Sequence, residues 1–176
     1  LSIRRQRQMC IRDSKYAMAY DPVQKVMYAL GADYENGDPN LGYTVLYEVN
    51  LNATTLNDLF TKVKDIQLAN GSNALRGICI TPDGKYIYVS HNLGRFTVPT
   101  SQLQQGWMNT SAFSVIDVDK QEFLGAIVVD EPERGAAGIW SIACNDESVF
   151  ISHSGTHEVS VIDHKAMLEK FLNYPN

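Results

Sequence analysis

The chain has 176 residues, 44% of them hydrophobic and 20% charged, with 15 Lys and Arg against 20 Asp and Glu for a formal net charge of -5. That is enough to bury one sizeable core, with neither the charge excess of a disordered chain nor the Gly and Pro excess of a fibrous one. The longest apolar runs, such as Gly125-Ala126-Ile127-Val128-Val129, are strand-sized, short of the roughly 18 residues of a membrane span, and the acidic balance argues against nucleic acid and anionic membrane surfaces as partners.

Residues 1–14, "LSIRRQRQMCIRDS", differ in character from the rest of the chain. They hold Arg4, Arg5, Arg7 and Arg12, four of the seven arginines in the chain, with neither strand alternation nor helical apolar spacing. A targeting peptide would place an apolar stretch behind the arginines, and none is there. The string "RQRQMCIRDS" resembles translated sequencing-adapter read-through of the kind met at the ends of metagenomic gene fragments, so a non-native leader outside the fold is expected. Without it the body carries eleven Lys and Arg against nineteen Asp and Glu.

From residue 15 onward the chain repeats itself. "YAMAYDPVQKVMYALGA" from Tyr16 lies over "RGICITPDGKYIYVSHN" from Arg76 at an offset of 60, setting Pro22 on Pro82 and Tyr28 on Tyr88. "WSIACNDESVFISHS" from Trp140 is a third copy whose turn is two residues shorter. Each copy is an apolar run, a tight polar turn and a second apolar run, which predicts a β-hairpin. Pro82-Asp83-Gly84-Lys85 has the chemistry for such a turn: a preset φ, a side chain that bonds its own backbone, and a Gly for positive φ.

A third strand follows each hairpin, in "YTVLYEVNL" from Tyr43, "AFSVIDVD" from Ala112 and "EVSVIDHK" from Glu158, the last two in step at an offset of 46. Fourth strands are expected in "DIQLAN" from Asp65 and "FLGAIVVD" from Phe123. Four antiparallel strands per unit form one blade of a β-propeller. The expected fold is therefore all-β, a β-propeller fragment of about three four-stranded antiparallel blades over approximately 15–70, 71–130 and 131–176. Between the first blade's third and fourth strands, "NATTLNDLFTKVK" from Asn52 puts Leu56, Leu59, Phe60 and Val63 at helical spacing and predicts a short packing helix. Cys79 and Cys144 each sit inside an apolar strand-like run with no Cys or His at metal spacing, and read as small buried hydrophobes.

"RGICITPDGKYIYVSHN" followed by "FSVIDVDKQEFLGAIVV" resembles the YVTN-type β-propeller repeat. More narrowly, "TSQLQQGWMNTSAFSVID", "ERGAAGIWSIAC" and "SHSGTHEVSVID" are similar to bacterial YVTN-type propellers that precede a di-haem cytochrome c peroxidase-like domain. The resemblance implies a periplasmic or cell-surface protein, with the missing propeller blades and such a haem domain as partners. The chain lacks the haem-attachment pattern Cys-x-x-Cys-His, so no haem site carries over to it and any haem belongs to the neighbouring domain.

The turns within the hairpins are short, whereas 31–42, 92–111 and 131–139 are long and fall on one face of the blades, which in repeat proteins is often the binding face. "YVSHN" and "FISHS" place His91 and His153 at equivalent strand ends on that face, on the side shared with Ile87 and Val89 in the first case. With His157, four residues after His153, they raise the question of a metal, but Gly155 makes the intervening stretch a hairpin loop in which helical ligand spacing has no meaning. The expectation is no metal, with these histidines either bonding loop backbone or meeting a ligand or partner. Arg95 lies in the longest insertion, 92–111, and Arg134 in 131–139, both suited to a carboxylate, a phosphate or a haem propionate, or to pairing with Asp130, Glu131 and Glu133. Trp107 lies in the same insertion as Arg95, as a loop plug or a stacking surface.

No phosphate loop or nucleophile elbow occurs, and no catalytic residue is assigned. The leading expectation is a non-catalytic propeller that presents its loop face to a partner domain or small ligand. Its alternatives are a lactonase-like enzyme with an axial metal and a purely structural surface protein.

Overall fold

Short apolar runs, cut by short Asp, Asn and Gly turns, fold the chain into three antiparallel sheets in a computed structural model that describes residues 15–21, 23, 26–31, 43–49, 54–55, 60–94, 108–131, 135 and 137–174. The first sheet is β1 (Lys15–Asp21), β2 (Val26–Gly31), β3 (Tyr43–Val49) and β4 (Phe60–Gln67), in that spatial order. The second is β5 (Ser72–Ile80), β6 (Tyr86–Gly94), β7 (Asn109–Asp117) and β8 (Glu122–Val128). Three strands make the third among the described residues: β9 (Ile139–Cys144), β10 (Ser148–His153) and β11 (Glu158–Asp163). These are successive propeller blades, each a meander of neighbouring strands.

The hairpin turns form as their residues require. Gly84 takes φ 72°, its N–H donates to the Thr81 carbonyl at 2.8 Å, and Asp83 Oδ1 accepts from the Lys85 N–H at 3.1 Å. In the third blade the Asn145 side chain accepts from the N–H groups of Glu147 and Ser148, closing a shorter turn by the same chemistry.

Two cores lie between the blades. Ile78, Ile87, Val89 and Ile116 of the second blade meet Tyr28 and Ile66 of the first. On its other face, Tyr88, Phe113 and Val115 meet Ile139, Ile142, Val149 and Ile151 of the third. The second blade is thus buried on both faces, which is why Ile87, Tyr88 and Val89 are all fully inaccessible. Burying each such side chain stabilises by about 1.5–3 kcal/mol before chain entropy is counted.

Two sequence expectations need correction. Phe60 and Val63 belong to β4, not to a helix, so the strand expected at Asp65 begins five residues earlier, while 52–53 and 56–59 lie outside the described residues. Backbone pairing of 60–67 with β3 overrides a helical apolar spacing of only a few residues. The stretch after Asp163 is not strand but a helix, α1 (His164–Asn173), whose first turn Asp163 caps by accepting from the Ala166 N–H at 2.8 Å. In the second blade the corresponding Asp117 accepts from the Lys120 N–H and opens a tight turn. One local device therefore starts two different elements. Among the described residues no helix is long and apolar enough to cross a membrane, and the proposed leader at 1–14 lies outside them.

Candidate functional site

The repeated Ser-His pair lies toward the end of the second strand of two blades. Ser90 opposes Gly77 on one side and Phe113 on the other, so its hydroxyl sits over β5 and accepts the Gly77 N–H at 2.9 Å. One position on, the alternation turns His91 to the opposite face, where its Nε2 lies 2.8 Å from Ser114 Oγ and its Nδ1 3.0 Å from the Asn92 carbonyl. A carbonyl only accepts, so Nδ1 carries the proton and Nε2 of the neutral ring accepts from the Ser114 hydroxyl. Burial holds the His91 pKa below its ordinary value, against the pull of the Asn92 carbonyl.

The third blade repeats the arrangement. Ser152 Oγ accepts the Ser141 N–H at 3.1 Å, and His153 Nε2 lies 2.9 Å from Ser160 Oγ. Ser160 stands in β11 where Ser114 stands in β7, so both histidines reach diagonally to the same repeat position. There is one difference. His153 Nδ1 is buried with no hydrogen-bond partner, whereas His91 Nδ1 is satisfied.

Both imidazoles were expected at the rim of the loop face. They stand at that end of the strands, opposite the Pro82 and Asn145 turns, but their rings are buried, at 0% and 2% exposure. Gly94 N–H donates to Gly71 O at this end of the second blade, and Ser154 N–H to Gly138 O in the third, so short backbone bonds tie the strand ends to the blade-to-blade links. The chain leaves β2 at Gly31 and β6 at Gly94 at this same end. His157 is exposed, at φ 57° in the turn between β10 and β11. Arg95, Trp107 and Arg134 lie outside the described residues. Arg76, midway along β5, stacks its guanidinium 4.7 Å above the ring of Trp140 in the third blade. Among the described residues there is no group of three or more His, Cys, Asp or Glu that could hold a metal ion.

Opposite the loop end, a second polar cluster was missed by sequence reading. His164 is buried at the start of α1, with Nδ1 2.7 Å from the Asn145 carbonyl and Nε2 2.8 Å from the Tyr88 hydroxyl. The carbonyl again fixes the proton on Nδ1, so Tyr88 donates to Nε2. Burial pushes the Tyr88 pKa up, which keeps the phenol a donor. A helix of the third blade is thereby bonded to a strand of the second. The signal was present in the sequence: Asp163 as a cap, with Met167 and Phe171 four residues apart behind it, both packed on the second core. Beside this cluster Cys79 and Cys144, read separately as small apolar residues, meet across the interface with sulfurs 3.5 Å apart.

No protein-family profile matches the chain. It is 23% identical over 104 residues to the hydrazine synthase subunit beta of Kuenenia stuttgartiensis, a match that covers 58% of the chain and 27% of that protein. The solved Kuenenia stuttgartiensis hydrazine synthase superimposes with a TM-score of 0.70 at 18% identity, over 90% of the chain and 42% of the solved one. The periplasmic gluconolactonase PpgL of Pseudomonas aeruginosa superimposes with a TM-score of 0.54 at 13% identity, over 90% and 41%. The chain thus spans about a quarter of the curated relative's length and about two fifths of the solved propeller chains. At these identities the likeness establishes the fold, three blades of β-propeller type.

Proposed function

We propose that the chain is part of a non-catalytic propeller module in an extracytoplasmic bacterial protein, whose loop end is presented to a partner domain or small ligand. The observation that carries this reading is the division of labour between the two ends of the blades. At one end the strands close by short turns bonded within themselves. At the other, the connection after Gly94 leaves from a strand end braced by Ser90 and His91, and Ser152 and His153 brace the equivalent end of the third blade. In this reading His91 and His153 hold the platform, while Arg95, Arg134, Trp107 and His157 make the contacts. The arginines suit a carboxylate or a haem propionate, which agrees with a di-haem cytochrome c peroxidase-like domain as the partner.

Further blades are part of the proposal. Tyr88, Phe113 and Val115 of the second blade are fully buried beneath the third. Their repeat equivalents on the third blade, Phe150, Val159 and Val161, are 38%, 60% and 62% exposed. Another blade with Ile and Val at the positions of Ile142, Val149 and Ile151 fits that face as the third fits the second. The test is the reading frame around this segment in its gene. The expected finding is a secretion signal, further repeats of this type and downstream Cys-x-x-Cys-His motifs. A self-contained propeller with a set of acidic ligands at its axis and no haem motif would overturn the reading in favour of a hydrolase.

A further inference from the structure

Cys79 and Cys144 are 65 residues apart in sequence and face each other across two blades. Cys79 lies near the end of β5, beside Tyr88, on the side that meets the third blade, and Cys144 is the last residue of β9. Both are free thiols, both pack against the second core, and their sulfurs are 3.5 Å apart. The Cys144 sulfur is also 3.3 Å from the Ile80 carbonyl, to which its S–H donates.

The repeat supplies a comparison. At the preceding interface the positions equivalent to Cys79 and Cys144 are Ala19 and Ile80, plain hydrocarbon side chains packed on the first core. The fold therefore makes this junction without sulfur, and the two cysteines replace apolar residues together, at facing positions. A disulfide needs sulfurs about 2.05 Å apart, an approach of roughly 1.5 Å from the observed contact, within reach of side-chain rotation.

We propose that Cys79 and Cys144 form a redox-responsive staple between the second and third blades, closing to a disulfide by exchange with a small disulfide such as oxidised glutathione. The Cys144 thiolate attacks one sulfur of the small disulfide, whose S–S bond breaks and releases one thiol. Cys79 then gives up its proton and attacks Cys144 Sγ, expelling the second thiol. Two protein thiols and one small disulfide become one protein disulfide and two small thiols. The order follows from the local bonding: Cys79 donates its S–H to Cys144, which holds the Cys144 pKa down and, together with burial, pushes that of Cys79 up. The staple is independent of what the loop end binds.

The test uses the full chain carrying Cys10→Ser, so that the third cysteine does not report. The reduced protein is incubated in glutathione buffers of increasing oxidation, quenched by alkylation and mapped by non-reducing peptide mass spectrometry. The expected result is loss of both titratable thiols, a Cys79–Cys144 linked peptide from monomeric protein, and reversal by excess reduced glutathione. Cys79→Ala should stop at a mixed disulfide on Cys144, and should form it faster than Cys144→Ala forms one on Cys79. Both variants approach the Ala19 and Ile80 chemistry, and circular dichroism checks that they fold. Two thiols that remain alkylatable across the whole series, or linkage found only between chains, would overturn the proposal.

Discussion

The bond between Tyr88 and His164 gives the sharpest test of how the second and third blades are joined. Tyr88→Phe removes one oxygen and leaves the ring, which packs edge-to-face on Phe113 with centroids 5.6 Å apart. The apolar contribution of the side chain is therefore kept. What is lost is the donor to His164 Nε2, 2.8 Å away, in a place where Tyr88 is fully buried and His164 is 6% exposed. Water does not replace the donor readily there, so the cost is that of one buried acceptor left unsatisfied, about 1–3 kcal/mol. For a chain of this size each kcal/mol lowers the midpoint of thermal unfolding by about 2–4 °C, so a fall of roughly 2–12 °C is expected. Urea unfolding followed by circular dichroism supplies the free energy, and His164→Ala with the double variant completes a cycle. Coupling of about 1 kcal/mol is expected. Additivity within about 0.5 kcal/mol, the behaviour of sites that share no partner, would refute the bond as a joint between blades.

Two further outcomes are expected at the interface and the strand ends. A Cβ at Gly77 would lie 2.9 Å from both the Ile142 nitrogen and Ser90 Oγ, and 3.0 Å from Ser141 Cα, so Gly77→Ala should cost about 1–3 kcal/mol by forcing the blades apart; an unchanged urea midpoint would show a looser interface. The folded-state pKa of His91 lies below its ordinary 6.5, so the stability it supports is complete above about pH 6.5 and is lost as pH falls from there through the lower folded value; His91→Gln should flatten that part of a urea-midpoint titration, while His153→Ala at pH 7.5 should cost about 1 kcal/mol, the size of its one bond to Ser160.

The blades were legible because repetition reports on backbone pairing. Pro82-Asp83-Gly84, the Tyr28 and Tyr88 equivalence and the Ser-Val-Ile-Asp strands each mark a fixed position in a meander, and the strands lie where those marks put them. Elements outside the repeat were less visible. Helical spacing over Leu56, Leu59, Phe60 and Val63 is too short a pattern to compete with the pairing of β4 along β3. The helix after Asp163 was hidden for the opposite reason, since the strand alignment with Asp117 drew attention away from the cap and the apolar pair behind it. The opening of the loop face was readable, but the burial of His91 and His153 was not, because alternation gives a side chain's face and not the depth of the neighbour that covers it.

Where one position is compared through successive blades, the departures from the repeat are more informative than the repeat itself. The Ser-His pair of the second and third blades bonds equivalent positions, Gly77 and Ser114 in one, Ser141 and Ser160 in the next, and so follows the repeat apart from the unpartnered Nδ1 of His153. The position of Tyr88 is Tyr28 in the first blade and Phe150 in the third, and Tyr88 bonds a histidine brought by a helix that follows the third blade. The cysteines depart in the same region, where the equivalent residues are Ala19 and Ile80. Bonding of α1 and the facing thiols thus concentrate on the junction between the second and third blades, at the end away from the loops. A propeller held by apolar packing alone needs neither. Both add ties to this junction beyond its apolar packing, and the proposed staple would let a change of oxidation state act on it.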